Sequence, residues 1–208
     1  LALEREQLYV ADTGNHALRR IQLRTGQVDT LCGSGRPGDP VEGPLPGGAR
    51  SPLNHPLALA LAANQVYIAS AGDNRIWSCD LGRGELQLRA GTGRLEVTDG
   101  NAKVAAFAQP AGLAAVQQVL YVCDALGSAV RSLQLRSDLV QTLVGQGPWE
   151  FGDGDGPRSA AHLQHPLGIA LSPDAPQLWL ADSANGLLRT LRLGGGEMTT
   201  VALPRRLP

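Results

Sequence analysis

Gln7-Leu-Tyr-Val-Ala-Asp12 recurs three more times along the 208-residue chain, and this repetition decides the fold. The other copies are Gln65-Val-Tyr-Ile-Ala-Ser70, Val119-Leu-Tyr-Val-Cys-Asp124 and Gln177-Leu-Trp-Leu-Ala-Asp182. The aromatic third residues, Tyr9, Tyr67, Tyr121 and Trp179, follow one another at intervals of 54 to 58 residues. A fixed period of this kind predicts a repeat architecture.

Each period contains segments in which apolar and polar residues alternate, which is typical of half-buried strands. Ile21 and Leu23, for example, alternate with Arg20 and Gln22, so the strand after the tyrosine is expected to show one polar face. The run before each tyrosine is apolar on both faces, as in Pro56–Leu61, and must be covered on both sides. The pattern therefore predicts four short antiparallel strands per period, ordered from buried to half exposed.

Repeated four-stranded units with a buried innermost strand are the blades of a β-propeller. No segment sustains a period of 3.6 residues, which argues against a solenoid of strands and helices. We therefore predict an all-β fold in one domain, 1–208. Its blades span approximately 1–35, 56–93, 110–147 and 166–203.

Composition excludes several classes of partner. Eighteen Lys and Arg against nineteen Asp and Glu give a net charge of −1, which argues against a nucleic-acid partner. No apolar run is long enough to cross a bilayer, so no membrane association is expected. The three cysteines, Cys32, Cys79 and Cys123, show no metal or redox spacing, and their odd number favours a reducing compartment, the cytoplasm.

The tyrosine strand continues as Ala11-Asp12-Thr13-Gly14-Asn15-His16 and Ala181-Asp182-Ser183-Ala184-Asn185-Gly186, which resembles the NHL repeat, a propeller-blade family. Gly91-Thr-Gly93, Asp99-Gly100 and Phe107-Ala-Gln-Pro110 resemble the segments between blades in NHL proteins of the NHL repeat-containing protein 2 type. In that group a thioredoxin-like domain precedes the propeller. Because NHL propellers usually have six blades, the resemblance implies that this chain is part of a longer propeller. A four-bladed ring is the alternative.

Three polar residues hold one repeat position, directly before the proline that starts an innermost strand: His55, Gln109 and His165. In a propeller that position is expected near the mouth of the central channel, where residues from different blades can converge on a ligand. The alternative is that each side chain only closes the start of its own strand. Trp149 and Phe151 lie in a loop between blades, either as anchors for a partner or as caps folded over a blade.

Two further sets recur with the blades. Asp12, Asp124 and Asp182 are expected to accept backbone N–H groups of the following turn. Arg19, Arg131 and Arg189 share one position with Trp77, and are expected to stack between blades, with a basic stripe on the surface as the alternative. Asp153 and Asp155 lack the remaining ligands of a calcium loop, so no metal site is predicted there.

No catalytic motif is present, and the Gly-x-Gly segments open no helix that could bind phosphate. The sequence therefore favours a non-catalytic interaction or scaffold module without a cofactor. Its partner would be a protein bound through the loops between blades, or the missing blades of the same propeller. The alternative is a metal-dependent enzyme of the propeller lyase or lactonase kind, with His55, Gln109 and His165 at the channel mouth.

Overall fold

The computed structural model describes residues 1–38, 45–46, 52–145, 147 and 149–202. Within these ranges the chain is built from β-strands, with one 3₁₀ turn at Thr13–Asn15. The strands form four separate antiparallel sheets, each corresponding to one copy of the repeat, so the predicted all-β blade architecture is confirmed. Across the same residues no helix has the length and apolarity needed to span a membrane.

Four strands make up the body of each sheet, and they follow one another in space as they do in sequence. In blade 1 they are β1 (Ala2–Glu4), β2 (Gln7–Asp12), β3 (Ala17–Gln22) and β4 (Val28–Gly33). In blade 2 they are β6 (Pro56–Ala62), β7 (Gln65–Ser70), β8 (Arg75–Asp80) and β9 (Glu85–Ala90). In blade 3 they are β11 (Pro110–Val116), β12 (Val119–Asp124), β13 (Ala129–Gln134) and β14 (Leu139–Val144). In blade 4 they are β16 (Pro166–Leu171), β17 (Gln177–Asp182), β18 (Leu187–Arg192) and β19 (Glu197–Thr200).

A two-residue strand from the segment before the blade extends the outer edge in blades 2, 3 and 4. These short strands are β5 (Leu45–Pro46), β10 (Gly100–Asn101) and β15 (Gly156–Pro157), which pair with β9, β14 and β19. The Asp-Gly dipeptides at 99–100 and 155–156 therefore lead into strand pairing, and Gly100 and Gly156 have φ of 136° and 131°. The segments between blades are tied to the sheet that they precede.

The cores lie between neighbouring sheets, so each blade has a forward face toward the next blade and a backward face toward the previous one. Between blades 2 and 3, Tyr67 and Ala69 of the forward face meet Leu120 and Val122 of the following backward face. The same repeat positions meet between blades 1 and 2 and between blades 3 and 4. Burial of matched apolar faces is therefore the interaction that holds the blades side by side.

One expectation about the third strand of each blade is wrong. Ser78 and Ser132 lie on the face predicted to be polar and exposed, yet they are only 2% and 3% accessible. The reason is tertiary: an interior sheet in this array has a neighbour on both sides, so a residue on either face can be buried. Small hydroxyl residues fit there without the cost of burying a charge.

The first glycine of each Gly-x-Gly segment allows close contact between strands. Gly33, Gly91 and Gly145 have φ of 113°, 107° and 95°. A Cβ at Gly145 would lie 2.4 Å from the carbonyl oxygen of Ser128, at the hairpin before β13. Both the backbone conformation and the lack of space exclude a side chain, which explains the constant distance of this glycine from the tyrosine.

The two faces at the ends of the array are uncovered. The innermost strands contact one another in the order β1, β6, β11, β16, and among the described residues β16 has no comparable contact with β1. On the forward face of blade 4, Ala170 and Ala181 are exposed, whereas the equivalent Ala60 and Ala69 of blade 2 are buried. Apolar residues are also exposed on the backward face of blade 1, where the accessibilities are 75% for Leu1, 60% for Leu3 and 57% for Val28.

Candidate functional site

A buried arginine fixes the segment between blades 2 and 3. Arg131, in β13, has no accessible side-chain surface and lies 3.1 Å from Asp124 and 2.8 Å from Asp99. It also donates to the carbonyl oxygens of Ala106 and Thr98, at 3.0 and 2.9 Å. Asp99 in turn accepts the N–H and hydroxyl of Thr142 in β14. This network joins the inter-blade segment to three strands of blade 3, β12, β13 and β14.

Blade 4 repeats the arrangement position by position. Arg189, in β18, is also fully buried and lies 2.9 Å from Asp182 and 2.6 Å from Asp155. Asp155 accepts the N–H and hydroxyl of Thr200, as Asp99 does from Thr142. Arg189 further donates to the carbonyl oxygens of Gly154 and His162. The segment between blades 3 and 4 is therefore held in the same way.

Blades 1 and 2 carry variants of the network. In blade 1, Arg19 pairs with Asp12 at 3.1 Å and also donates to Thr30, but about a third of the Arg19 side chain is exposed. In blade 2, Ser70 replaces the aspartate and Trp77 replaces the arginine. The carboxylate is supplied three residues later by Asp73, which accepts the Trp77 indole N–H at 3.1 Å. A hydrogen bond from the indole thus replaces the ion pair at this position, while Arg75 lies 3.9 Å from the same carboxylate.

The sequence expectations for these residues hold in part. Asp12 accepts the backbone N–H of Asn15 in the following turn, as expected. Asp124 and Asp182 instead bind the arginine and the inter-blade segment: Asp182 accepts the N–H of Gln164, from the segment before blade 4. The arginines are paired with carboxylates, although Arg131 also lies 5.2 Å from the Phe107 ring centroid. Ion pairing prevails because a guanidinium without solvent contact needs a negative charge and acceptors for its N–H groups.

Burial and pairing shift the carboxyl pKa values in opposite directions. Burial raises the pKa of Asp124 to about 7, although Arg131 opposes this. Burial also acts to raise the pKa of Asp99, but hydrogen bonds from Thr142 and the charge of Arg131 outweigh it, so the pKa lies below its ordinary value. The same balance lowers the pKa of Asp155 beside Thr200 and Arg189. The carboxylates of the inter-blade segments, Asp99 and Asp155, therefore carry the stable negative charge of each network.

Trp149 and Phe151 lie on the segment that the Arg189 network holds. Their accessibilities are 87% and 52%, so neither side chain folds back over the blade. The backbone beside them is fixed, because Gly152 donates its N–H to Leu163 and accepts the Asn185 amide at 2.7 Å. The structure thus presents two aromatic side chains to solvent on a tethered segment, while their binding role stays a prediction.

A residue that the sequence analysis missed occupies the equivalent position in the preceding segment. Leu95 follows the first glycine of its Gly-x-Gly by four residues, as Trp149 does, and is 60% accessible. Pro37 holds that position after blade 1 and is also exposed. The constant offset from the glycine was the signal that could have found them. We call Pro37, Leu95, Trp149 and Phe151 the apolar rim.

The three predicted channel-mouth residues share one backbone conformation but not one cavity. His55, Gln109 and His165 have left-handed φ values of 48°, 66° and 49°. His55 and Gln109 line a shallow cavity of about 310 Å³ together with Leu57, Ala71 and Gly72, and His165 does not. Within the described ranges, no three His, Cys, Asp or Glu side chains are grouped as a metal would require.

The backbone at this position is bound by the previous blade. His55 donates its N–H to Nδ1 of His16 at 3.1 Å, and Gln109 donates its N–H to the Asn74 side-chain oxygen at 3.0 Å. His16 and Asn74 are equivalent hairpin residues, with left-handed φ of 48° and 55°. The His16 and His55 rings also meet edge to face, with centroids 4.4 Å apart. One function of this position is therefore to lock consecutive blades together.

Sheets repeated side by side, with innermost strands in sequence and a recurring network at each junction, define a β-propeller built from consecutive blades. The chain is 34% identical over 195 residues to Protein SUPPRESSOR OF QUENCHING 1, chloroplastic, of Arabidopsis thaliana, a match covering 88% of this chain and 18% of that protein. It is 32% identical over 231 residues to NHL repeat-containing protein 2 of Bos taurus, covering 97% of this chain and 32% of that protein. The chain is an NHL-repeat β-propeller, and it spans about a third or less of these relatives.

Solved structures support the fold. A Bacteroides thetaiotaomicron protein of unknown function superimposes with a TM-score of 0.69 at 22% identity, over 89% of this chain and 44% of that one. A streptogramin B lyase structure superimposes with a TM-score of 0.61 at 11% identity, over 98% of this chain and 53% of that one. Identities this low establish the fold alone. No protein-family model matches the chain.

Proposed function

We propose that this chain is a non-catalytic interaction module that binds a protein partner through the apolar rim. The observation that carries the proposal is Trp149, 87% accessible on a segment that the buried Arg189 holds through Asp155. Large aromatic side chains exposed in this way are common anchors of protein interfaces. Phe151, two residues further along the same segment, is 52% accessible, and Leu95 at the equivalent position of the preceding segment is 60% accessible.

The tether supports a binding role because it reduces the entropy cost of association. Asp155 is bound to Arg189 and Thr200, and Asn185 holds Gly152, so the backbone on the C-terminal side of Trp149 is ordered before a partner arrives. A preorganised segment loses less freedom on binding than a free loop. The buried arginines thus serve the proposed function indirectly, by positioning the rim.

Site-specific photocrosslinking tests the proposal. A photoreactive amino acid at position 149 is expected to trap a defined protein partner from the native cell extract. The matched control carries the same group at Leu139, which is 38% accessible in β14. Adding Phe151→Ser to the position-149 variant should reduce the crosslinked product at least about 10-fold, as loss of an interface anchor would. Equal products from positions 149 and 139, or no effect of Phe151→Ser, would refute a partner site on the rim.

The metal-dependent enzyme is a second candidate, and the cavity beside His55 and Gln109 is the feature in its favour. Metal content of the purified protein distinguishes it from the first. Stoichiometric calcium or zinc that is lost in the His55→Ala variant would favour the enzyme, and protein without bound metal would reject it. His165→Ala is the control, because His165 does not line this cavity.

The proposal also includes further blades as partners of the two uncovered faces. The forward face of blade 4 presents Trp179, Ala181 and Leu188 at the positions where blade 2 presents Tyr67, Ala69 and Ile76 to its neighbour. A blade of the same kind is the occupant that such a surface fits, because three equivalent faces of this chain are already covered by one. The cytoplasm remains the proposed compartment, on the basis of cysteine number and spacing.

A further inference from the structure

Two cysteines meet across the junction of blades 1 and 2. Cys32 lies in β4 and Cys79 in β8, and their Sγ atoms are 3.4 Å apart although 47 residues separate them in sequence. Both side chains have 0% accessibility, within the core that joins these blades. The contact therefore depends on how the two sheets dock.

Packing alone does not require sulfur at these positions. The repeat equivalents of Cys32 are Ala90 and Val144, and those of Cys79 include Leu133 and Leu191. At the two later junctions these aliphatic residues occupy the corresponding cores. Among the described junctions, facing thiols are thus particular to blades 1 and 2, which points to chemistry beyond apolar burial.

The pKa values of Cys79 and Cys123 are shifted in opposite directions, and this difference favours reaction at Cys79. The hydrogen bond from Cys32 lowers the pKa of Cys79, against the opposing effects of burial and of Asp80. Burial, with Asp124 and Asp182 adding to it, raises the pKa of the third cysteine, Cys123, far above its ordinary value. Because the thiolate is the reacting form, Cys79 is the favoured nucleophile and Cys123 is an internal control.

We propose that Cys32 and Cys79 form a reversible disulfide between blades 1 and 2 when the chain meets a peroxide. The Cys79 thiolate attacks one oxygen of hydrogen peroxide and breaks the O–O bond, giving a sulfenic acid and, after protonation, one water. The Cys32 sulfur then attacks the sulfenic sulfur, and the hydroxyl leaves as a second water with the Cys32 proton. Two thiols are oxidised by two electrons in all, and one peroxide is reduced to two waters.

Two features make the step feasible. The sulfurs need to approach by about 1.4 Å to reach a disulfide length of about 2.05 Å, a movement within the range of small shifts between packed sheets. In the part of the chain that the structure describes, blade 1 is covered on one side only, since Leu3 and Val28 on its backward face are 60% and 57% accessible. Local opening of a blade with a single neighbour exposes the thiols at less cost than opening an interior junction.

The test is peptide mapping after controlled oxidation. Purified protein is treated with hydrogen peroxide, then denatured and alkylated with N-ethylmaleimide without reduction. We expect a linked peptide containing Cys32 and Cys79, reversed by dithiothreitol, and an alkylated Cys123. The oxidised protein should also melt at least about 5 °C higher, because the crosslink restricts the unfolded chain.

Variants built from the chain's own repeats provide controls. Cys32→Ala and Cys79→Leu introduce residues found at the same positions in other blades, and neither variant should show the melting shift. In Cys32→Ala the Cys79 sulfenic acid should form more slowly, because the hydrogen bond that lowers the Cys79 pKa is lost, but once formed it should persist and react with dimedone. Three alkylated cysteines after peroxide treatment of the original protein, or Cys123 oxidised as fast as Cys79, would overturn the proposal without reference to the variants.

Discussion

Buried guanidinium groups organise the residues at the junctions. Arg131 has no contact with solvent and holds Asp124, equally buried, together with Asp99, which is about half exposed. Breaking a buried pair by removing one partner leaves an uncompensated charge, and the typical cost is about 3–5 kcal/mol. Arg19 occupies the same position in blade 1, with a third of its side chain exposed, so solvent screens its pair with Asp12.

Arg131→Met should therefore lower the free energy of unfolding by about 3–5 kcal/mol, and Arg19→Met by less than about 1 kcal/mol. The carboxyl of Asp124, whose pKa burial already raises to about 7, loses the charge that opposes burial. A folded-state pKa above the unfolded value removes stability as pH rises, so the loss in Arg131→Met should be larger at pH 8 than at pH 5. Urea unfolding followed by tryptophan fluorescence measures both effects, and similar losses in the two variants would contradict them.

At the scale of elements, the hairpin after the tyrosine strand holds the start of the next blade. His16, between β2 and β3, accepts the His55 N–H, and Asn74, between β7 and β8, accepts the Gln109 N–H. The hairpin residue also needs a left-handed backbone, which asparagine adopts more readily than most residues. An imidazole and an amide thus perform the same task, but only the imidazole titrates near neutral pH.

Because His16 lies in this hairpin, we expect the free energy of unfolding to depend on pH. Burial and the neighbouring His55 lower the pKa of His16, so its protonation costs the folded state free energy. The free energy of unfolding should then fall as pH drops below about 6.5, the ordinary histidine value, toward the lower pKa of the folded state. His16→Asn copies the residue of blade 2 and should weaken this fall between pH 7.5 and 5. Chemical unfolding across that range measures it, and identical pH profiles of the two proteins would refute the assignment.

At the scale of the molecule, the described residues form an array of four blades with two uncovered end faces. Ala69 in β7 has no accessible surface because blade 3 covers it, while Ala181, the same position in β17, is exposed because among the described residues no blade follows. The two alanines hold the same position in their own sheets, Ala69 between Ala58 and Ile76 and Ala181 between Gly168 and Leu188. The difference in their burial comes from the covering blade.

A charge at these two positions reports whether blade 4 is covered in solution. Ala69→Asp should cost more than about 3 kcal/mol, because it buries an unpaired carboxylate, and Ala181→Asp should change stability by less than about 1 kcal/mol. Urea unfolding gives the two values, and light scattering after size-exclusion chromatography gives the mass. If Ala181→Asp is as damaging as Ala69→Asp, the face is covered in solution, by ring closure or by another chain, and the open array is wrong.

The sequence by itself determined the blades. Alternation of apolar residues, the tyrosine period and the glycine at the end of the outer strand in blades 1 to 3 are local patterns. Four copies of the tyrosine pattern were therefore enough to predict four sheets. It also placed His55, Gln109, Trp149 and Phe151 in loops, from their position between strands.

Only the tertiary structure decided what the polar residues do. Asp99 reaches Arg131 across 32 residues because the inter-blade segment pairs with the outer strand of blade 3. Cys32 reaches Cys79 across 47 residues because neighbouring sheets dock in one particular register. The burial of Ser78 and the exposure of Ala181 likewise depend on which faces have a neighbouring blade. Hydrophobic periodicity shows which residues form strands and which face of a strand is apolar. The residues that two sheets bring into contact depend on how the sheets dock, which no local pattern encodes.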